Sequence, residues 1–379
     1  METRHFRHVI LGAGAVGSAA AYHLARRGEP VVVVEQFGLG HDRGSSHGAA
    51  RIIRHSYADS AYAMLMPEAF RAWRELEADA GQPLFLRTGG ISVSPPGGGY
   101  VNSVTENLAA MGVPHRRMSG SELHKAIPVF GVPDDSDVVF EPDAGILAAR
   151  RILKAEIDLA RHYGGEKTVI LENSSVRRVD LESEKPTLET DTLRIIGDRL
   201  IVAAGPWLSR LLPDYPVPLQ VTRQQVLYLE PPDPVAYGPG RFPVFIYKGH
   251  EDHDAYYGMP TFEGLGVKVA RHGGPVFDPD RRDPEVGHEY IGVLRSFLGN
   301  LLPALADAPI QCTEVCLYTM APDDQFHIGA LASRPDVIVA SPCSGHGFKF
   351  SSLIGRVLAD LAIGVETDLP IDAWRLAQA

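Results

Sequence analysis

Cysteine is scarce in this chain, whose 379 residues include only Cys312, Cys316 and Cys343. Three cysteines are too few for the disulfide framework of a secreted protein, and their spacing does not match a zinc site. We therefore predict no metal site and expect a reducing, cytoplasmic compartment.

Long apolar runs and an excess of positive charge are also missing. Residues 8–21 resemble the apolar part of a signal peptide, but their glycine spacing favours a buried strand and turn, so no membrane segment is predicted. The formal net charge is −11, which argues against nucleic acid or an anionic membrane as the main partner. An anionic small molecule would have to be bound by local basic residues.

The segment HVILGAGAVGSAAAYHLARRGEPVVVVE, residues 8–35, follows the order strand, glycine turn, helix, strand and acid. Gly12, Gly14 and Gly17 have the G-x-G-x-x-G spacing of a dinucleotide-binding turn. The first two glycines permit a tight turn beside a pyrophosphate, and Gly17 lets the helix lie close to the strand. Glu35 is expected to accept hydrogen bonds from a ribose hydroxyl. The pattern predicts binding of an ADP moiety, and a turn that serves packing alone is the alternative.

The sheet that contains this turn is interrupted in the sequence. Apolar periodicity predicts helices at residues 62–80 and 148–163, and a buried strand that ends at Gly205 brings the chain back to the sheet. Residues 221–315 are strand-rich, and 337–363 read again as strand, glycine loop and helix. A nicotinamide-binding domain usually completes its sheet in one stretch, so this layout favours a flavoprotein. The predicted fold class is α/β, with a discontinuous Rossmann-like domain and a second, mixed-sheet domain.

Basic residues occur in two candidate ligand-binding loops. Arg51 and Arg54, in GSSHGAARIIRH, lie on one face if the segment is helical, and the planar guanidinium of either could bind a carboxylate. Two surface arginines are the alternative. Lys349 precedes a predicted helix, where its charge would add to the positive helix end and stabilise a reduced flavin. A surface lysine in the first turn of the helix is the alternative.

Two further candidates lie on predicted strands. In VKVARH the two-residue period of a strand places Lys268 and His272 on one face. This face points either into a polar cavity or to the solvent. Cys316, considered by itself, has the properties of a small buried hydrophobic residue.

Five segments, GAGAVG, SSHGAARIIRH, YYGMPTFEGLGVKVARH, VCLYTMAPDDQF and CSGHGFKFSS, occur in this order over nearly the whole chain. Together they resemble the monomeric sarcosine oxidase and N-methyltryptophan oxidase group of D-amino-acid-oxidase-like flavoproteins. The combination of R-I-I-R-H, C-x-Y-T and S-G-H-G-F-K-F is highly specific for this group. The expected domains are an FAD-binding domain at 1–85, 146–220 and 316–379 and a substrate domain at 86–145 and 221–315.

The resemblance implies roles for single residues around the flavin. Cys316 matches the cysteine that binds FAD covalently. Arg54 and Lys349 match the residues that bind the substrate carboxylate, and His47 and Arg51 match basic groups beside the flavin.

The resemblance also implies roles near the amine of the substrate. Tyr257 and His272 match residues of the substrate cavity, and Lys268 matches a lysine near flavin N5 that is associated with reactivity toward oxygen. Gly345 and Gly347, in the S-G-H-G turn, are expected to contact the cofactor.

One residue departs from the pattern of the family. Ala50 stands where sarcosine oxidase is expected to have threonine, so a hydrogen bond close to the flavin is expected to be missing or replaced. The implied function is oxidation of an N-methyl or cyclic amino acid, such as sarcosine, N-methyltryptophan, pipecolate or proline, by a monomeric enzyme. The products with O₂ would be an imine and H₂O₂. The alternatives are a dehydrogenase of the same fold with a quinone or protein acceptor, and a non-catalytic dinucleotide-binding module.

Overall fold

The computed structural model describes residues 1–251, 254–367, 369–371 and 374. The strands are β1 (Glu2–Leu11), β2 (Val31–Val34), β3 (Ala50–Ile53), β4 (Phe85–Arg87), β5 (Gly90–Ser94), β6 (Arg116–Ser119), β7 (Asp137–Glu141), β8 (Gly145–Ala148), β9 (Thr168–Leu171), β10 (Arg178–Asp180), β11 (Thr187–Glu189), β12 (Leu193–Val202), β13 (Gln220–Leu229), β14 (Val244–Lys248), β15 (Ala255–Met259), β16 (Val267–Arg271), β17 (Ile310–Met320), β18 (His327–Leu331) and β19 (Arg334–Ser341). The α-helices are α1 (Ala15–Arg26), α2 (Ser60–Ala63), α3 (Met66–Ala80), α4 (Tyr100–Ala110), α5 (Gly120–Ala126), α6 (Ala149–Gly164), α7 (Leu208–Leu211), α8 (His288–Leu301) and α9 (Ser351–Ala362).

The first sheet contains the glycine turn. Its strand order is β10-β11-β12-β1-β2-β9, and β19 pairs with β12 and β18 with β19. The pairs β1–β12, β1–β2, β2–β9 and β12–β19 are parallel. All four valines of β2 are buried, which is typical of a parallel strand covered by helices on both faces. The predicted return of the chain to this sheet, in the strand before Gly205 and again near residue 337, is confirmed.

Helices α1, α3, α6 and α9 pack together on one side of this sheet. The helix predicted at 148–163 is confirmed as α6, but the one predicted at 62–80 is wrong in extent, because the chain forms α2 and α3 instead. Pro67 lies in the first turn of α3, where its missing N–H costs nothing, and this favours a new helix start there. The predicted apolar face is nevertheless buried, with Trp73 only 1% exposed.

The second sheet has the order β17-β13-β16-β15-β14-β5-β7-β6 and is antiparallel except for the parallel pair β14–β5. A small third sheet has the order β3-β8-β4.

The domain boundary predicted between residues 315 and 316 falls inside β17, which pairs with β13 along nearly its whole length. Cys316 therefore belongs to the second sheet. Residues 368, 372, 373 and 375–379 of the predicted FAD-binding domain lie outside the described residues.

The register of the second sheet places several predicted site residues on one face. Lys268 lies opposite Met259 on one side and Tyr228 on the other, and side chains directly opposite each other in a sheet share a face. Tyr257 lies two residues before Met259 in β15 and therefore has the same face. Glu314 of β17 has this face as well, because β17 pairs with β13, the strand of Tyr228. Cys316 and Tyr318 follow at intervals of two in β17. None of the described helices combines the length and apolar character needed to cross a lipid bilayer.

Candidate active site

A cavity of about 980 Å³ lies between the two large sheets. One wall is formed at the carboxyl ends of β1, β2, β12 and β19, where ligands bind in open α/β sheets. The opposite wall is the shared face of the second sheet. The cavity is lined by these predicted site residues: Gly12, Gly14, Glu35, His47, Arg51, Arg54, Tyr257, Lys268, His272, Cys316, Gly345, Gly347 and Lys349. Gly17 does not line it, because Gly17 lies where α1 packs on β1.

Glycine is required by geometry at two positions of the turn. Gly12 has φ of +103°, and a Cβ there would lie 2.5 Å from the carbonyl oxygen of Ala203. At Gly17 a Cβ would overlap the carbonyl oxygen of Gly12. Gly14 precedes α1, whose first N–H, that of Ala15, donates to the Ser46 hydroxyl oxygen at 3.0 Å.

The side chain of Glu35 closes this end of the cavity. Its carboxylate accepts hydrogen bonds from the backbone N–H of Ala13 at 2.8 Å and of Phe37 at 2.9 Å. Burial would raise the pKa of Glu35, but the contact with His41 and these two hydrogen bonds lower it, and the net shift is downward. The carboxylate is thus ionised at neutral pH and can accept further hydrogen bonds from hydroxyl groups.

The residues present fit FAD. Gly14 carries no side chain where the chain enters α1, the N-terminus of α1 favours an anion, and Glu35 is an ionised acceptor next to it, as an ADP moiety requires. From there the same cavity continues to Cys316 and Lys268, which could contact the remainder of the cofactor. Within the described ranges, no group of three or more His, Cys, Asp or Glu side chains is arranged to hold a metal ion.

The segment of Arg51 and Arg54 forms strand β3 and not a helix. The condition for a shared helix face is therefore not met, because the segment pairs with β8. Both arginines nevertheless line the cavity. The guanidinium of Arg51 donates to the carbonyl oxygens of Ser45 at 2.8 Å, His47 at 2.6 Å and Ala50 at 2.9 Å.

Cys316 lies among positive charges but is buried, with an exposed fraction of 8%. Burial raises the pKa of its thiol, although Arg51 and Lys268 act in the opposite direction. Burial, followed by the charge of Arg51, lowers the pKa of His47 to about 4, so its imidazole is neutral at neutral pH. The positive charges beside the thiol at neutral pH are therefore those of Arg51 and Lys268, and not that of His47.

Lys268 is only 4% exposed, and its Nζ donates to the backbone carbonyl oxygen of Ala50 at 3.3 Å. Burial, together with repulsion from Arg51, lowers the pKa of Lys268 to about 8. The ammonium form still predominates at pH 7. At the position where a threonine is expected, the main chain of Ala50 thus supplies an acceptor to this lysine.

Arg54 and Lys349 form a pair of cations that both contact Tyr57. The guanidinium carbon of Arg54 lies 4.6 Å from the centroid of the Tyr57 ring, and Nζ of Lys349 donates to the Tyr57 hydroxyl at 2.9 Å and to the carbonyl oxygen of His346 at 2.9 Å. Lys349 is 7% exposed, which excludes the surface lysine, and burial and Arg54 lower its pKa. Neither cation has a carboxylate partner in the part of the chain that the structure describes.

The turn between Arg54 and Tyr57 is hydrogen-bonded to a buried acid. Glu141, at the end of β7, accepts hydrogen bonds from the backbone N–H of His55 at 2.8 Å and of Ser56 at 3.0 Å, and it contacts His55 Nδ1 at 2.7 Å. Glu141 is 1% exposed. Because all these contacts are buried, the positions of Arg54 and Tyr57 are closely defined.

The cavity wall around Tyr257, His272 and Tyr318 contains neutral polar groups. The hydroxyls of Tyr257 and Tyr318 are 3.5 Å apart, and the ring centroid of His272 lies 5.4 Å from that of Tyr318. Burial, with smaller effects of Lys248 and Lys349, lowers the pKa of His272 to about 4, and burial raises the pKa of Tyr257. Gly345 has φ of +77°, and a Cβ there would overlap His272. These groups can exchange hydrogen bonds with an amine without adding charge.

Sequence reasoning missed several residues of the cavity wall. The cavity is also lined by Tyr57, Glu314, Tyr318 and His346. Glu314 and Tyr318 were accessible from the alternation of β17, since each lies two residues from Cys316. No pattern pointed to Tyr57, which meets Lys349 from 292 residues away in the sequence.

Comparison with known proteins places this geometry in a family. The family model described as FAD dependent oxidoreductase matches residues 7–361. A monomeric sarcosine oxidase from Bacillus sp. (strain NS-129) is 33% identical, covering 98% of this chain and 96% of that protein. An N-methyl-L-tryptophan oxidase from Salmonella dublin is 30% identical, with 98% of both covered. The solved L-proline dehydrogenase from P. horikoshii has the same fold, with a TM-score of 0.85, 22% identity and coverage of 98% and 97%.

Proposed function

Because this chain belongs to the family of FAD dependent oxidoreductases, we propose that it oxidises the C–N bond of a secondary amino acid, with O₂ as electron acceptor. The chain is an FAD-dependent enzyme that acts on CH–NH donors. The finer proposal covers N-methyl and cyclic amino acids such as sarcosine, N-methyltryptophan, pipecolate and proline. The relatives are named for sarcosine and N-methyl-L-tryptophan, which supports this range.

The observation that carries the proposal is the pair of cations at Arg54 and Lys349. Both line the cavity, both contact Tyr57, and neither is neutralised by a carboxylate within the described residues. Lys349 is buried and Arg54 is half-buried, and without a counter-ion the burial and the repulsion from Arg54 lower the pKa of Lys349. A bound anion would favour the charged form of the lysine and offset this cost. The planar guanidinium and the ammonium would hold one carboxylate group of the substrate between them.

The amine of such a substrate would lie toward Tyr257 and His272. At neutral pH both side chains are uncharged, and the nearby cations disfavour a proton on the amine. The site thus favours the neutral amine, whose lone pair is needed for oxidation. FAD bound in the cavity would accept the hydride equivalent from the carbon beside the nitrogen and pass the electrons to O₂, giving an imine and H₂O₂. The side chains supply orientation and electrostatics.

Two further roles belong to the same proposal. Lys268 provides a buried positive charge that stabilises negative charge developing on oxygen. Cys316 is proposed to bind FAD covalently. The thiolate is the reactive form, and Arg51 and Lys268 are the groups that favour it. We also propose that the enzyme is a cytoplasmic monomer, as the name of the Bacillus relative and the scarcity of cysteine suggest.

A peroxide-coupled screen tests the substrate class and the acceptor together. Each secondary amino acid is paired with its analogue that lacks the carboxylate: dimethylamine for sarcosine, piperidine for pipecolate and pyrrolidine for proline. We expect peroxide with at least one amino acid and none with its analogue. Equal rates with both members of a pair would contradict the role of the two cations. Reduction of an added quinone without peroxide would instead identify a dehydrogenase, the activity named for the P. horikoshii protein of the same fold.

A further inference from the structure

Glu314 is a carboxylate in the cavity that the roles above do not use. It lies on β17 two residues before Cys316 and faces the same side of the sheet. The hydroxyl of Tyr228, which is 2% exposed, donates to Glu314 Oε2 at 2.7 Å. A Cβ added to Gly48 would lie 3.0 Å from this oxygen and 3.3 Å from Nη1 of Arg51. The hydrogen bond from Tyr228 therefore defines the position of the carboxylate, and the carboxylate and the guanidinium of Arg51 both lie beside Gly48.

The buried ammonium of Lys268 is the centre of this group of charges. On β16 it lies beside Tyr228 of β13, and its Nζ is 5.7 Å from the centroid of the Tyr228 ring. The remaining titratable or charged groups that face it are Arg51 of β3, His47 of the preceding loop, Tyr257 of β15, and Glu314 and Cys316 of β17. Within the described residues, Glu314 is the one acid of the set.

Simple electrostatics makes this acid important for the lysine. Burial and the permanent charge of Arg51 both favour loss of the proton from Lys268, and Glu314 is the strongest opposing influence. Without that opposition the lysine would lose its proton at a lower pH. A neutral lysine would supply no positive charge to the cavity.

We propose that Glu314 is a positioning residue that keeps Lys268 positively charged and that Tyr228 fixes the carboxylate for this purpose. The inference rests on the proposed function, because the positive charge of Lys268 matters there for the reaction with O₂. The charge on the lysine can nevertheless be measured without substrate or oxygen. Glu314→Gln removes the charge and keeps an acceptor for Tyr228. Tyr228→Phe keeps the charge and removes the hydrogen bond.

Lysine-selective NMR provides the test, because the chain contains only seven lysines. The holoenzyme is labelled with lysine enriched in ¹³C, and the Cε resonance of Lys268 is identified by its absence in Lys268→Met. Its shift is followed against pH in the native protein and in both variants. The exposed Lys154 serves as an internal reference.

We expect Glu314→Gln to lower the titration midpoint of Lys268 by roughly one pH unit, the effect of one nearby charge in a medium of intermediate dielectric constant. Tyr228→Phe is expected to lower it by a smaller amount. An unchanged midpoint in Glu314→Gln would overturn the proposal, and an unchanged midpoint in Tyr228→Phe would remove Tyr228 from it.

A second measurement separates this inference from the proposed function. In stopped-flow reoxidation by O₂, the pH above which the reaction slows should move down in Glu314→Gln by the same amount as the NMR midpoint. If the midpoint moves and reoxidation does not, the charge relation holds and the oxygen role of Lys268 is wrong. If neither moves, the inference fails while the proposed oxidation of amino acids is untouched.

Discussion

Replacing Arg54 with alanine is expected to lower kcat/KM for a secondary amino acid by roughly 150-fold, chiefly through KM. Arg54 is partly exposed, stacks on Tyr57 and has only a weak contact within the described chain, with Ser56 Oγ at 3.4 Å. Its donors are therefore available to a substrate carboxylate. Two hydrogen bonds between a guanidinium and a carboxylate contribute about 3 kcal/mol in such a partly exposed site, which corresponds to the stated factor.

The remaining half of the site survives this change. Lys349 keeps its two contacts, with Tyr57 and His346, and the turn that carries residue 54 stays bound to Glu141 through the backbone of His55 and Ser56. The variant should therefore fold, bind FAD and react with oxygen normally. Arg54→Lys keeps the charge but loses the planar pair of donors, and we expect an intermediate loss of roughly tenfold.

Two assays check this prediction. Initial rates from a peroxide-coupled assay give KM and kcat separately, and the absorbance change of the bound flavin on addition of acetate gives the affinity for a bare carboxylate. Both KM and the dissociation constant of acetate should rise in Arg54→Ala. A fall in kcat with KM and acetate affinity unchanged would refute the reasoning, because it would place the lost interaction in the transition state alone.

The other predictions concern the lysine, the thiol, the glycine turn and a buried acid. Lys268→Met should slow reoxidation by O₂ without slowing anaerobic reduction. Because burial lowers the pKa of Lys268 to about 8, the reoxidation rate of the native enzyme should fall as the pH rises through 8, and the reoxidation rate of the variant should not. Cys316→Ser should release yellow FAD into the supernatant on acid precipitation, whereas the native protein keeps the colour in the pellet; release from both would disprove the covalent bond. Gly17→Ala should destabilise the fold by about 1–3 kcal/mol and reduce FAD content, since its Cβ would overlap the carbonyl oxygen of Gly12; an unchanged melting temperature would contradict the packing. Burial raises the pKa of Glu156 to about 8 from an ordinary 4.5, so the stability that its protonated form contributes is complete below 4.5 and is lost as the pH rises to 8. Glu156→Gln should flatten this fall of the melting temperature, and an equal slope in both proteins would contradict it.

The sequence was sufficient where the physical reason is local. The glycine turn follows from the positive φ of Gly12 and from the short distance between Gly17 and the Gly12 carbonyl oxygen, and the apolar face that contains Trp73 follows from helical spacing. The common face of Lys268 and His272 follows from the period of a strand, and the structure places both side chains at the cavity. These features need no knowledge of the rest of the chain.

Features that depend on contacts between residues far apart in the sequence could not be predicted from the sequence. The choice between a helix and a strand at Arg51 is made by β8, whose residues come almost a hundred positions later. Tyr57 becomes a site residue only because Lys349 reaches its hydroxyl, and Glu314 only because the register of β13 and β17 brings it to Tyr228. The break between α2 and α3 was a local signal, since Pro67 is visible in the sequence, but apolar periodicity continued through it.

The central proposal is a cavity in which a secondary amino acid reduces FAD and O₂ then reoxidises it. The direct measurement is an anaerobic titration of the purified protein with the best substrate from the screen, followed by admission of air, with the absorbance of the flavin recorded throughout. We expect the flavin to be bleached completely and then to recover promptly, with one H₂O₂ formed for each flavin. A flavin that no secondary amino acid reduces, or one that stays reduced in air, would contradict it.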